Sequence, residues 1–213
     1  LATAETLLRQ QGWLSAAGTR YDDHYYRAWS HELPPMRHPN YAVELDLHHA
    51  IAPPISRIHP PTAALLPRLM PLSDAGVYVL HPHDQILHAA IHLYQDTEWD
   101  GRLRDLVDIH SLLETFLRDA ADWQALQQRA RELGAETALQ WALYYCCHWL
   151  GRAAPPGIPL QRPAAWLDWL MEQHCLPWLP EQRAPNGWLV MRLAQLRYQR
   201  SRMPTRLLLR HGG

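Results

Sequence analysis

Tyr41-Ala42-Val43-Glu44-Leu45-Asp46-Leu47-His48-His49 alternates apolar and ionisable residues. Strand side chains have a period of two, so Val43, Leu45 and Leu47 share one face and Glu44, Asp46 and His48 the other. Asp and Glu are depleted in strands. Two on one face of a short strand, with an imidazole beyond them, form a donor set for a cation or for proton transfer. The competing reading is the solvated face of an amphipathic edge strand, a routine pattern. Either way the alternation predicts an extended segment from Tyr41 to Ile51, ended by Pro53-Pro54.

Before this segment, residues 2–11 read as a helix stopped by Gly12. His24 to Ser30 reads as a second strand. His31 to Asn40 carries three prolines and reads as a connection. That link is short, which makes the two strands antiparallel. Thr62 to Met70 reads as a short helix broken by Pro67, and Val77 to Leu80 as an extended stretch. After Pro82 the period becomes helical over Asp84–Tyr94, Arg102–Arg118, Asp122–Leu133, Glu136–Leu150, Ala164–Cys175 and Gly187–Met203. Asp100 and Asp122 fit N-terminal caps or first-turn acids, and Gly134 and Gly151 fit helix stops. Residues 152–163, with four prolines, read as a loop. The expected fold class is α+β: a small antiparallel sheet within residues 1–80, then a mostly helical region over 81–213. There is no internal repeat.

Composition narrows the function classes. The 213 residues carry a formal net charge of −1, so no global field points to nucleic acid. All basic residues except histidine are arginine. The three cysteines, Cys146, Cys147 and Cys175, do not form a secreted disulfide framework. Cys146 and Cys147 lie in an apolar run and read as buried free thiols. No apolar stretch reaches transmembrane length and no signal peptide is evident, so a cytoplasmic protein without membrane contact is expected. After Glu181 every charged side chain is basic, from Arg183 to Arg210. Leucines interleave with these arginines, which favours an amphipathic helix with a solvated basic face over a nucleic-acid surface.

A second constellation lies in the helical region. His88 and His92 are four apart and share a helix face, as two metal ligands would. Asp105, Asp108 and His110 follow. A His-x-x-x-His pair without the glutamate of a zinc protease is weak evidence, and a helix–helix seam explains it equally. Arg104 and Asp108 are also four apart, either a surface pair or, if that helix packs inward, a buried one.

Several segments in order carry a resemblance. They are Leu7-Leu8-Arg9-Gln10-Gln11-Gly12-Trp13, then Glu44-Leu45-Asp46-Leu47-His48-His49, then Pro82-His83-Asp84-Gln85-Ile86-Leu87-His88-Ala89-Ala90-Ile91-His92, then Leu103-Arg104-Asp105-Leu106-Val107-Asp108-Ile109. Together they resemble the uncharacterised bacterial nucleotidyltransferase-like family of the DNA polymerase β-type superfamily. The family's acidic-Leu-His-aromatic strand is matched by Asp46 to His49, with histidine in the aromatic place. Its helix ending in histidine is matched at His92, and its Leu-Arg-x-x-x-Asp helix by Leu103, Arg104 and Asp108. The resemblance covers most of residues 1–118.

What the resemblance implies is metal-dependent nucleotidyl transfer from a nucleoside triphosphate to an acceptor hydroxyl of unknown identity. Two Mg²⁺ ions held by carboxylates would stabilise the attacking and leaving oxygens. Asp46, with Glu44 on the same face, would hold the catalytic metal and help deprotonate the acceptor, with His48 as a further metal ligand. His92, Arg104 and Asp108 would serve nucleotide binding, partly buried and close together beneath a cleft that Glu44 and Asp46 face. The chain departs from the pattern in one respect. The family's Gly-Ser turn and Asp-x-Asp strand, which supply the other carboxylates, are not found before residue 44, and Asp22-Asp23 is adjacent rather than alternating. Two explanations are open: a piece of a longer protein cut after the Asp-x-Asp strand, which the opening Leu1 favours, or a degenerate relative that keeps the scaffold without the chemistry. In either case the chain is expected not to be catalytically complete as it stands. The alternatives are a non-catalytic binding or interaction module and a helical metal-binding protein centred on His88 and His92.

Overall fold

Helix α1, Ala2–Gln10, is the first of several elements that local signals place. The computed structural model describes residues 1–73, 76–95, 102–155 and 157–176, with helical positions 189, 192, 193 and 196. Within α1, Arg9 bridges Glu5 one turn earlier at 2.9 Å. Gly12 ends the helical run with φ +92°, a conformation open to glycine and costly for other residues. A Cβ there would stand 2.9 Å from Nε2 of His38, the ring nitrogen that lies 3.0 Å from the Gln11 carbonyl. Gly12→Ala therefore combines left-handed strain with a clash against a bonded ring, and is expected to cost about 1–3 kcal/mol. Urea unfolding checks this. A loss under about 0.5 kcal/mol, the range of ordinary surface changes, would show that the turn relaxes freely.

His24–Ser30 is not a strand. Residues Arg20–Trp29 form helix α2. Its aromatics, Tyr25, Tyr26 and Trp29, suit a strand by propensity, but the start signal is stronger. Thr19 caps the helix, its hydroxyl accepting from the Asp22 N–H at 3.1 Å, and Asp22 and Asp23 fill the first turn. Arg27 then grips Asp23 at 2.9 Å and Glu5 of α1 at 2.7 Å. These bonds to Arg27 hold the Glu5 carboxyl down at about 2.

The partner of the acidic strand comes instead from the segment read as a connection. Strands β1 (Leu14–Ser15), β2 (Met36–His38) and β3 (Tyr41–Leu45) form an antiparallel sheet in that order. Arg37 lies opposite Glu44, and the register shifts between Arg37 and His38. Pro34 and Pro35 sit before β2 and Pro39 in the tight turn after it, so none interrupts a ladder bond. The Asn40 N–H closes that turn on Nδ1 of His38 at 3.1 Å. β3 stops at Leu45, short of Ile51. Beyond it the chain makes one further antiparallel bridge, Glu32 opposite His48.

Helix α3 (Thr62–Leu65) runs into a 3₁₀ turn over Leu66–Arg68, where Pro67 fits an early position. Strands β4 (Met70–Pro71) and β5 (Tyr78–Val79) pair as a small hairpin. The helical part follows the expected order: α4 (Pro82–Gln95), α5 (Leu103–Phe116), α6 (Ala120–Glu132), α7 (Glu136–Leu150) and α8 (Ala165–Cys175). Asp119 caps α6, accepting from the Ala121 and Asp122 N–H groups at 2.9 Å each, while Asp122 occupies the first turn. Gly151 ends α7 at φ +69°, and the Arg152 N–H reaches back to the Cys146 carbonyl at 3.2 Å. Most of Gly187–Met203 lies outside the described residues, as does Asp100.

α4 packs against α5 and α7, and α6 closes on α4 and α7. Ile86, Leu87, Ile91, Leu106, Ile109, Leu113, Leu126 and Leu143 are fully buried between them. Ala52 and Leu65, from before the first long helix, belong to the same core. Cys146 and Cys175 are buried free thiols and Cys147 is half-buried; burial pushes the Cys146 thiol up to about 12. Asp84, in the first turn of α4, is 0 % exposed and clasped by Arg129 of α6 through bonds of 2.6 and 3.1 Å. Arg129 also donates to the Ala64 carbonyl at 2.8 Å, tying α3 to the bundle. No helix of the described residues is long and apolar enough to cross a membrane.

Candidate functional site

Glu44 and Asp46 do not share a covered strand face. Both are exposed, as are Tyr41 and Val43 of the same strand, each 60 % accessible. A three-stranded sheet this short leaves both sides of β3 open among the described residues. The expected enclosure of the two carboxylates between sheet and helices is therefore not seen. Glu44 is taken up by Arg37 across the sheet, with Nε 2.6 Å from the carboxylate. Asp46 stands just past the strand end, where its carboxylate has no ion-pair partner among the described residues.

The chain after Asp46 is held firmly. The Leu33 N–H donates to the Leu47 carbonyl at 2.9 Å and the His49 N–H to the His31 carbonyl at 2.8 Å. These bonds flank Glu32 and His48, making them the close, non-hydrogen-bonded type of antiparallel pair, with side chains on one face. His48 Nε2 accordingly lies 3.2 Å from the Glu32 carboxylate. Its Nδ1 lies 3.3 Å from the Asp46 carbonyl. The His31 ring is tilted against the His48 ring, with centroids 4.9 Å apart. His31, Glu32 and His48 are the one group of three metal-ligand side chains, among the described residues, whose donor atoms lie within 4.8 Å of one another.

Two helices border this cluster. Tyr26 of α2 is close enough to Glu32 and Asp46 that both add to the rise of its phenol pKa, whose main cause is burial. His88 of α4 is pressed down to about 4, first by burial and then by the nearby His92 and His48 imidazoles. His31 and Glu32 are not legible in the sequence because the segment before Met36 reads as a connection, and Tyr26 is not because His24–Ser30 reads as a strand. The signal was the sequence Ser30-His31-Glu32, two donor types before a proline pair.

His92, Arg104 and Asp108 are all exposed. The expected partly buried trio is not formed, because α5 turns Leu106, Ile109 and Leu113 inward and leaves the Arg104–Asp108 side to solvent. The buried arginine–carboxylate pair is Arg129 with Asp84. His88 and His92 do face each other, with ring centroids 6.1 Å apart, but no third ligand joins them at close spacing among the described residues. Elsewhere, a cleft of about 1010 Å³ on the helical part is lined by Trp141, Trp166, Trp169 and Tyr94, with Arg57 and Gln95 as polar groups.

A family model described as an uncharacterised nucleotidyltransferase matches residues 1–151. No curated protein and no solved structure matches the chain.

Proposed function

Because the chain belongs to this uncharacterised nucleotidyltransferase family, we propose that it serves metal-dependent nucleotidyl transfer from a nucleoside triphosphate to an acceptor hydroxyl. The observation that carries the reading is the Asp46 carboxylate, exposed at the end of β3 and without an ion-pair partner among the described residues. Mg²⁺ takes hard oxygen ligands, keeps several waters, and is held by one or two carboxylates plus substrate phosphates. An unencumbered aspartate fits that demand. When bound, the ion supplies charge stabilisation for the attacking and leaving oxygens of in-line transfer.

In this reading Asp46 holds the ion and accepts the acceptor's proton. Glu44 is the second carboxylate, restrained by Arg37 and free to turn to the ion only as that bridge opens. Arg104, exposed on α5, offers a cation to the triphosphate, and His92 of α4 and Asp108 of α5, both exposed, are the further polar groups of this reading. The Trp-lined cleft supports a second reading, a binding module for an apolar or aromatic group, since such pockets combine apolar walls with a few polar handles.

Equilibrium titration with a fluorescent nucleoside triphosphate tests the first reading. Binding is expected with Mg²⁺ and is expected to weaken on chelation. Binding that ignores Mg²⁺, or no binding, would count against it. Turnover is a separate matter. Residues 1–213 contain no Gly-Ser pair and no Asp-x-Asp. This polypeptide alone is therefore expected to transfer no labelled nucleotide with Mg²⁺ or Mn²⁺. Transfer abolished by Asp46→Asn would place a complete site within these residues.

A further inference from the structure

We propose that His31, Glu32 and His48 form a binding site for a zinc-type divalent transition ion, distinct from any Mg²⁺ held by Asp46. The inference does not rest on the nucleotidyl-transfer reading.

The His48 ring is oriented by its backbone contact. A carbonyl oxygen only accepts, so the 3.3 Å contact between Nδ1 and the Asp46 carbonyl requires the proton on Nδ1. In the neutral ring this turns the Nε2 lone pair toward the Glu32 carboxylate, 3.2 Å away. Two acceptors then face each other. A proton on Nε2 or a cation between them resolves the conflict. Metal-bound histidines are commonly held this way, one nitrogen on the ion and the other N–H on a backbone carbonyl.

The donor spacing suits an ion. With bonds of roughly 2.0–2.1 Å, neighbouring donors of a tetrahedral shell lie about 3.3–3.4 Å apart. His48 and Glu32 already meet that edge, and the whole group, His31 included, lies within 4.8 Å. The donor types select the ion. Imidazole nitrogen suits zinc, nickel, copper and iron, whereas magnesium and calcium take oxygen. Two histidines, a glutamate and a water make an open four-coordinate shell. The backbone is braced for it, because the ladder bonds around Glu32 and His48 fix both Cα positions before any ion arrives. His48 is half-exposed, which leaves an entry path.

The test uses the chelator-stripped 213-residue protein titrated with Co²⁺ alone, followed by visible absorption, and with Zn²⁺ alone against a chromophoric chelator. One equivalent of each is expected to bind, with Co²⁺ giving the intense bands of a four-coordinate site. His48→Ala and Glu32→Gln, each checked for an unchanged circular-dichroism spectrum, are expected to weaken binding by roughly tenfold or more. The double variant His88→Leu/His92→Leu is expected to retain the full equivalent. The proposal is overturned if no ion is held, if both single variants bind as the parent does, or if only the α4 double variant loses the ion. Co²⁺ and Zn²⁺ are titrated without nucleotide, and the variants assign the ion to the cluster, so the outcome is independent of whether Mg²⁺-dependent nucleotide binding is found.

Discussion

Asp84→Ala is expected to destabilise the protein by about 3–5 kcal/mol, the range for removing one partner of a buried ion pair. Asp84 is 0 % exposed and Arg129 6 %. Arg129 holds the carboxylate with two bonds in fork geometry, and it also donates to the Ala64 carbonyl and to Glu132. Deleting the carboxylate leaves a nearly buried guanidinium without its main partner, holding only Glu132 and the Ala64 carbonyl. The pKa of Arg129 is raised, first by its hydrogen bonds to Asp84 and also by those to Glu132. The carboxylate also sits in the first turn of α4, where the helix dipole favours a negative charge. The double change Asp84→Leu/Arg129→Met removes both charges at once, and apolar replacement of a buried pair is often neutral. It is therefore expected to recover most of the loss. Urea unfolding of the two variants decides the matter. A single-variant loss below about 1 kcal/mol, or a double variant no better than the single, would show that the pair carries little.

The second large effect is a pH dependence. An unfolded histidine titrates near 6.5, whereas burial lowers His88 to about 4, with His92 and His48 contributing. Between these values the unfolded chain binds the proton that the folded chain refuses, so stability rises with pH across that interval. The contribution of His88 is neutral above about 6.5. It becomes progressively unfavourable as pH falls toward 4, and constant below that. At 1.36 kcal/mol per pH unit the full loss is on the order of 3 kcal/mol. His88→Leu keeps the volume and removes the proton site. Its stability curve is expected to be flatter than the parent's between pH 6.5 and 4, and the difference between the two curves isolates this residue from other titrating groups. Parallel curves would contradict the assignment.

Helices with long hydrophobic periods were legible in the sequence, and so were their ends. Gly151 and Gly12 take the positive φ expected of stops, and α7 spans Glu136–Leu150 as its apolar spacing requires. α2 was illegible to a period-two reading because its aromatics favour strands. What decides it is a cap and two ion pairs, of which the one to Glu5 is long-range. β2 was hidden for the opposite reason. Three prolines mark a connection, yet they fall outside the three residues that pair. The alternation from Tyr41 located β3 and the acidic residues, but not what covers them. Burial of a strand face depends on a neighbour supplied by the rest of the chain, and here Val43 meets none among the described residues. Likewise the need for a buried arginine–carboxylate clasp was foreseen while its members were not. Arg104 and Asp108 are close in sequence, whereas Asp84 and Arg129 are brought together by packing across 45 positions. The Glu32–His48 pairing is of the same kind, since a bridge between a loop and a strand end leaves no local pattern.

In the proposed function, Asp46 holds the ion that carries a nucleotide. Electron paramagnetic resonance of Mn²⁺, titrated into the protein with a nucleoside triphosphate, reads bound against free ion directly. Mn²⁺ accepts the oxygen ligands that suit Mg²⁺. The parent protein is expected to capture the Mn²⁺–nucleotide complex, and Asp46→Asn, which keeps the shape and removes the charge, is expected to weaken capture by roughly tenfold, about 1.4 kcal/mol. Equal capture by the parent and Asp46→Asn, with both proteins folded, would contradict it.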